Sequence, residues 1–219
     1  MICVKPPILH SDTNRTSNVL EKQQLTTRLT LISHAATFAQ RRAAFPSDEP
    51  LDEQEISKIA ALGWISPRSQ RIVAAPELRT QQTAQALGIS STIAEDLRDC
   101  DYGNWRGREI GDLQNDDPEG LAVWLTDPAA APHGGESLES LMERVTRWVD
   151  EQIDAGHVIA VTHPAIIRCA VVHALQAPVQ AFWRVDIAPL SMTDIRFNGR
   201  AWTLRSSACA LNRSSLDEK

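Results

Sequence analysis

The sequence predicts a three-layer α/β domain, with a mainly parallel central sheet and helices on both faces. Three observations predict it. Runs at residues 29–33, 71–75 and 158–162 are apolar nearly throughout, as strands covered on both faces are. Stretches of helical periodicity separate them, and alternating strand and helix is the pattern of a parallel sheet with crossover helices. Near the end, residues 192–197 and 201–205 flank Asn198-Gly199, a pair suited to the left-handed backbone of a tight hairpin.

The elements follow in order. Residues 1–27 are polar and aperiodic and predict a loose tail, as do 212–219, which leaves 28–211 as a single domain. Asp52 is a helix cap, with Glu55 three residues on in a capping-box-like pattern and Gly63 beyond the end. A second helix runs from about Glu77 to Leu87 and stops at Gly88. A third begins near Ser137, carries Leu138, Leu141, Met142, Val145, Trp148 and Val149 at helical spacing, and is over by Gly156. The fourth, over residues 165–175, follows the strand at 158–162 directly. No internal repeat is present.

Composition narrows the function classes. The chain has 219 residues and a formal net charge of -6, which argues against nucleic-acid or anionic-membrane partners, since these need a basic face. An anionic substrate must then be held by a few local cations. Cys3, Cys100, Cys169 and Cys209 are scattered without zinc-type spacing, and neither they nor the histidines predict a metal site. Residues 1–22 carry Lys5, Pro6 and Pro7 where an export signal needs an apolar run, and no stretch is long and apolar enough to span a bilayer. The expected address is the cytoplasm.

Ligands of open α/β sheets bind beyond the carboxyl ends of the strands, and that rule locates the chemistry. Two strands end in histidine, at Ser33-His34 and Thr162-His163, and a third leads through Ala75-Pro76 into a helix whose first turn carries Arg79. One histidine at a strand end is usually structural. Two, with an arginine at the same sheet edge, are three side chains suited to phosphate.

Five ordered segments carry a family resemblance. They are Ser33-His34-Ala35-Ala36-Thr37; Ala74-Ala75-Pro76-Glu77-Leu78-Arg79-Thr80-Gln81-Gln82-Thr83-Ala84; Leu97-Arg98-Asp99-Cys100-Asp101-Tyr102-Gly103-Asn104-Trp105-Arg106-Gly107; Gly135-Glu136-Ser137; and Thr162-His163-Pro164-Ala165-Ile166-Ile167-Arg168. Together they resemble the histidine phosphatase (phosphoglycerate mutase-like) superfamily over most of residues 29–205. The resemblance implies a phosphoglycerate mutase-like fold and a metal-independent phosphomonoesterase with no cofactor, acting on a small phosphorylated metabolite. It implies His34 as nucleophile, His163 as donor to the phosphoryl oxygens, Asp99 as acid with Asp101 as the alternative, and Arg79 as phosphate ligand. A neutral imidazole suits such an attack because it brings no charge for the phosphate oxygens to repel and can form a covalent phosphoramidate.

The departures from the family pattern are equally specific. Ser33 stands where the family has an arginine before the nucleophile, and Ala35 where it has glycine. Asp99 is one methylene shorter than the usual glutamate, and His163 precedes Pro164 rather than glycine. Gln40 falls where the family often has a phosphate-binding asparagine. The missing arginine leaves Arg41, Arg42 or Arg168 to supply the lost charge, so Ser33, Gln40 and Arg41 join Arg79 as expected phosphate contacts. The departures also allow an alternative reading, a weakly active or inactive relative that binds a phosphorylated ligand. Residues 112–132 contain no Lys or Arg, which favours water over a second phosphorylated substrate as the acceptor. Trp105 and Trp124 could line the substrate mouth, with packing the favoured role for both, and the acidic run 112–119 is expected to form a solvated face.

Overall fold

The computed structural model describes residues 26–211. The expected tails lie outside that range except for Thr26, which is exposed, and Thr27, which already opens the first strand and is fully buried. In chain order the elements are β1 (Thr27–Ser33), α1 (Phe38–Arg41), α2 (Glu53–Ala61), β2 (Arg71–Ala74), α3 (Leu78–Ala86), β3 (Thr92–Ile93), α4 (Ile110–Asp116), α5 (Pro118–Thr126), α6 (Leu138–Asp150), β4 (His157–Thr162), α7 (Pro164–Ala174), β5 (Ser191–Phe197) and β6 (Trp202–Ala210). Short 3-10 turns sit at Glu95–Leu97, Gly103–Trp105 and Val179–Arg184.

The strands form one six-stranded sheet in the order β3-β2-β4-β1-β5-β6. The first four in that order pair in parallel, and β5 and β6 are added antiparallel. Alternation along each strand splits the core in two. Leu29, Leu31, Val73, Val158 and Ala160 face α6 and α7, while Ile32, Ala74, Ile159 and Val161 face α2 and α3. The predicted three layers are present.

Local chemistry sets the helix starts. The Asp52 carboxylate accepts from the Glu55 N–H at 2.9 Å, satisfying an otherwise orphaned donor in the first turn of α2. Ser137 does the same for α6 through the Ser140 N–H. The apolar stripe of α6 buries Leu138, Leu141, Val145, Trp148 and Val149 against the sheet. His163 caps α7 in extended backbone with Pro164 in the first turn, where a ring without an N–H costs nothing. The proline that replaces the family glycine is therefore compatible with both strand end and helix start.

Four elements were not predicted: α1, β3, α4 and α5. β3 is only two residues long and exposed, too short for a periodic signal. α4 and α5 carry the acidic run; its side chains are mostly exposed, while Leu113 and Leu121 pack with Phe45 and Trp105 in a third, smaller cluster. Among the described residues, no helix is long and apolar enough to cross a membrane.

Ile159 sits on a strand with neighbours on both sides and is fully buried. Ile159→Ala is expected to cost about 2–5 kcal/mol through lost transfer energy and an unfilled cavity. The urea midpoint of unfolding measures it.

Candidate active site

Strand pairing brings the two histidines together. β1 and β4 run parallel with Ser33 opposite Thr162, so the next residue on each strand leaves the sheet at the same level. The His34 N–H donates to the Thr162 carbonyl at 2.9 Å. The His34 and His163 rings meet edge to face with centroids 5.2 Å apart. β2 flanks β4 on its other side, and the Ala75 N–H closes onto the Val161 carbonyl, which starts α3 beside the histidines. Thr83 ties that helix to the loop after β1, since its hydroxyl donates to the Arg79 carbonyl and accepts from the Ala35 N–H.

The two rings are held differently. His34 Nδ1 lies 2.7 Å from the Ala35 carbonyl, which can only accept, so Nδ1 carries the proton and Nε2 keeps its lone pair. Burial, reinforced by the positive charges of His163 and Arg79, pushes the His34 pKa down to about 3. The ring is neutral at physiological pH. His163 Nε2 lies 2.7 Å from the Glu77 carboxylate, and its Nδ1 faces Asp99 Oδ2 at 3.4 Å.

Asp99 is the hub of the site. Its Oδ2 accepts from the Arg79 guanidinium at 2.7 Å while facing His163, and its Oδ1 accepts from the Cys100 N–H. Burial works to raise this carboxyl, but the charges of His163 and Arg79 outweigh it and hold Asp99 below the ordinary carboxylate range. Arg79 is 1% exposed, and it also donates to the Ser47 carbonyl at 2.7 Å.

The loop bearing Asp99 is clamped from behind. Arg144 of α6 donates to the carbonyls of Asp96, Arg98 and Asp99, and the Glu136 carboxylate grips the same guanidinium at 2.9 and 2.7 Å. Thr162 adds a hydroxyl bond to the Leu97 carbonyl. The glycine of the Gly-Glu-Ser segment has a steric reason, because a Cβ on Gly135 would stand 2.0 Å from the Asp101 carbonyl. Glu77 and Arg144 were missed by sequence reasoning. Arg144 falls seven residues after Ser137 on the apolar stripe of α6, an odd place for an arginine, and that was the available signal.

A cleft of about 210 Å³ opens onto His34. Its lining includes Thr37, Gln40, Asp99, Tyr102, Trp124, Arg168 and Trp183. The Gln40 carbonyl closes a capping box on Thr37, leaving its amide nitrogen as the donor it can offer. Arg168 has a buried Nε without a hydrogen-bond partner among the described residues, and its nearest carboxylate, Asp186, is 3.9 Å away. Arg79 does not line this cleft; it borders a second hollow of about 320 Å³, and Asp99 and Pro46 belong to both.

Other expected contacts lie elsewhere. Arg41 is not among the cleft residues and pairs with Asp52 and Glu55, while Arg42 pairs with Glu109. Both arginines sit beside carboxylates of α2 or the loop before α4, which compete for them. Ser33 is fully buried and its hydroxyl makes no hydrogen bond among the described residues. Asp101 is half-exposed and paired with Arg106. Trp105 packs as expected, but Trp124 both packs and lines the cleft.

The profile described as the histidine phosphatase superfamily (branch 1) matches residues 29–210. The chain belongs to that superfamily. The chain is 30% identical over 187 residues to a bifunctional protein of Mycobacterium tuberculosis, covering 79% of this chain but 51% of that protein. It thus spans about half the length of the first curated relatives. It is 26% identical over 182 residues to the adenosylcobalamin/alpha-ribazole phosphatase of Salmonella typhimurium, covering 77% of this chain and 90% of the relative. A mycobacterial glucosyl-3-phosphoglycerate phosphatase solved with VO3 shares the fold, with a TM-score of 0.72, 24% identity, and coverage of 84% of this chain and 99% of that one.

Two measurements follow from the buried charges. Arg144→Leu leaves Glu136 buried without its cation and is expected to cost about 3–5 kcal/mol in urea unfolding. The depressed pKa of His34 means that the unfolded chain binds a proton the native chain refuses, so stability is lost as pH falls from 6.5 towards about 3. In urea titrations across that window, His34→Asn is expected to lose stability less steeply than wild type.

Proposed function

We propose that this chain is a metal-independent phosphomonoesterase that hydrolyses a small phosphorylated metabolite through a phosphohistidine on His34. One observation carries the reading: a buried, neutral imidazole whose Nδ1 proton is spent on the Ala35 carbonyl, with Nε2 left free beside a cleft. A protein that only bound phosphate would have no use for a ring kept uncharged, because a cationic ring would bind the anion better.

In this reading, Nε2 attacks phosphorus and the ester P–O bond breaks. The leaving oxygen takes a proton from Asp99. Water then attacks the phosphohistidine, Asp99 takes the proton back, the P–N bond breaks, and phosphate leaves. The resting structure adds a condition to this sequence. Asp99 is held as a carboxylate by the same cations that must receive the phosphoryl oxygens. When those oxygens replace its hold on Arg79 and His163, burial and the nearby dianion raise its pKa, so Asp99 takes up a proton from solvent as substrate binds and can deliver it to the leaving oxygen. No step uses a metal.

Arg168 is the cation we assign to the charge lost at Ser33. It lines the His34 cleft with a free guanidinium edge, whereas Arg41 and Arg42 are engaged elsewhere. Gln40 adds its amide to the phosphate contacts. Ser33 has no direct role in this reading. The acceptor is water and the setting is the cytoplasm, where the free, buried Cys100 and Cys169 stay reduced.

Substitution separates these roles. His34→Ala is expected to abolish turnover of a phosphate-ester panel in the presence of EDTA, together with the acid-labile, alkali-stable phosphoryl label. Arg168→Ala is expected to lower kcat/KM by about 10²-fold or more, and Arg41→Ala to change it less than about twofold. Equal effects of the two would overturn the assignment of Arg168. Asp99→Asn is expected to lose about 10²–10⁴-fold in kcat, and Asp101→Asn far less.

A further inference from the structure

The cleft beside His34 has a wall that the hydrolytic reading leaves unused. Tyr102, Trp124, Phe182 and Trp183 all line it, and they come from three separate segments: the loop before the Gly103–Trp105 turn, α5, and the Val179–Arg184 turn. Trp124 meets Trp183 edge to face at 4.7 Å between centroids, Trp183 meets Phe182 at 4.9 Å, and Tyr102 meets Trp124 at 6.4 Å. Each ring braces the next, so the wall is held rigid before any ligand arrives. Trp124, Trp183 and Tyr102 nevertheless remain only partly buried. Apolar ring surface left wet in a concave site is surface that a ligand can cover with a gain.

The charges of the cleft restrict what that ligand can be. Besides His34, its lining holds one guanidinium, Arg168, and one carboxylate, Asp99. Arg168 itself lies over the Phe182 ring, with Cζ 5.5 Å from the centroid. Arg168 joins Arg79 and His163 on the phosphoryl group, and a second phosphate or a carboxylate on the substrate finds no further Arg or Lys in this cleft. None of the acidic run 112–119 lines the cleft; of α4 and α5, only Trp124 does.

We infer that the alcohol part of the substrate carries an uncharged planar aromatic ring, as in a nucleoside monophosphate, which stacks on the Trp124–Trp183 wall while its phosphate faces His34. This inference rests on the phosphatase reading and goes further by naming the substrate class. Stacking of a base on an aromatic side chain is strong enough to change a rate by about tenfold or more.

Adenosine 5'-monophosphate and ribose 5-phosphate test it, because both release a primary ribose hydroxyl and differ mainly in the base. Wild-type enzyme is expected to show kcat/KM at least tenfold higher for the nucleotide. Trp183→Leu is expected to shrink that ratio by about tenfold, and the ratio is insensitive to how much of the variant is folded. A ratio near one, with both esters hydrolysed and both activities lost in His34→Ala, overturns the aromatic substrate and leaves the phosphatase standing. No turnover of either ester or of p-nitrophenyl phosphate removes the phosphatase reading, and this inference with it.

Discussion

The parallel pairing of β1 with β4 governs the chemistry of this protein. Parallel strands lie about 4.8 Å apart, and with Ser33 opposite Thr162 the two following residues must emerge as neighbours. A slip of one residue would turn every side chain of one strand to the other face. The site would be lost together with the core, because Leu29 and Leu31 on one face and Ile32 on the other are fully buried. Packing against α6 and α7 and against α2 and α3 therefore holds the histidine pair in place as a by-product of burying the sheet.

Around that pair the protein has arranged a closed set of charges. Arg79, His163, Asp99 and Glu77 lie against one another at contacts of 2.7 to 3.4 Å. Burying each group alone would be costly, and burying them as a hydrogen-bonded network is how the interior tolerates them. The consequence is a resting site in which the Asp99 carboxylate holds Arg79 and faces His163; in the proposed mechanism a phosphoryl dianion with three oxygens displaces it.

The surroundings divide the labour. Glu136 and Arg144 hold the Asp99 loop through backbone carbonyls, so Asp99 is positioned by main chain rather than by its own side-chain contacts alone. The aromatic residues stand at the mouth, where the third cluster of Phe45, Trp105, Leu113 and Leu121 supports Trp124 from behind. The departures at Ser33, Ala35 and Pro164 are accommodated sterically: Ala35 is buried in the core, and Pro164 opens α7.

The amino-acid sequence by itself determined the fold class, the strands β1, β2 and β4, the helices α2, α3, α6 and α7, and the closing hairpin. Those features are encoded by periodicity and by local caps, which act within a few residues. It also singled out His34, Arg79, Asp99 and His163, because strand ends and ordered motifs are readable in one dimension. Only the tertiary structure decided which charges pair. Arg41 and Arg168 look equivalent as letters, but one meets the carboxylates of α2 and the other turns into the cleft. The same holds for the proton on His34, since its tautomer and its neutrality depend on a carbonyl, a degree of burial and neighbouring cations that lie far apart in the chain. Electrostatic pairing depends on distance in space, and distance in space is what a linear sequence leaves open.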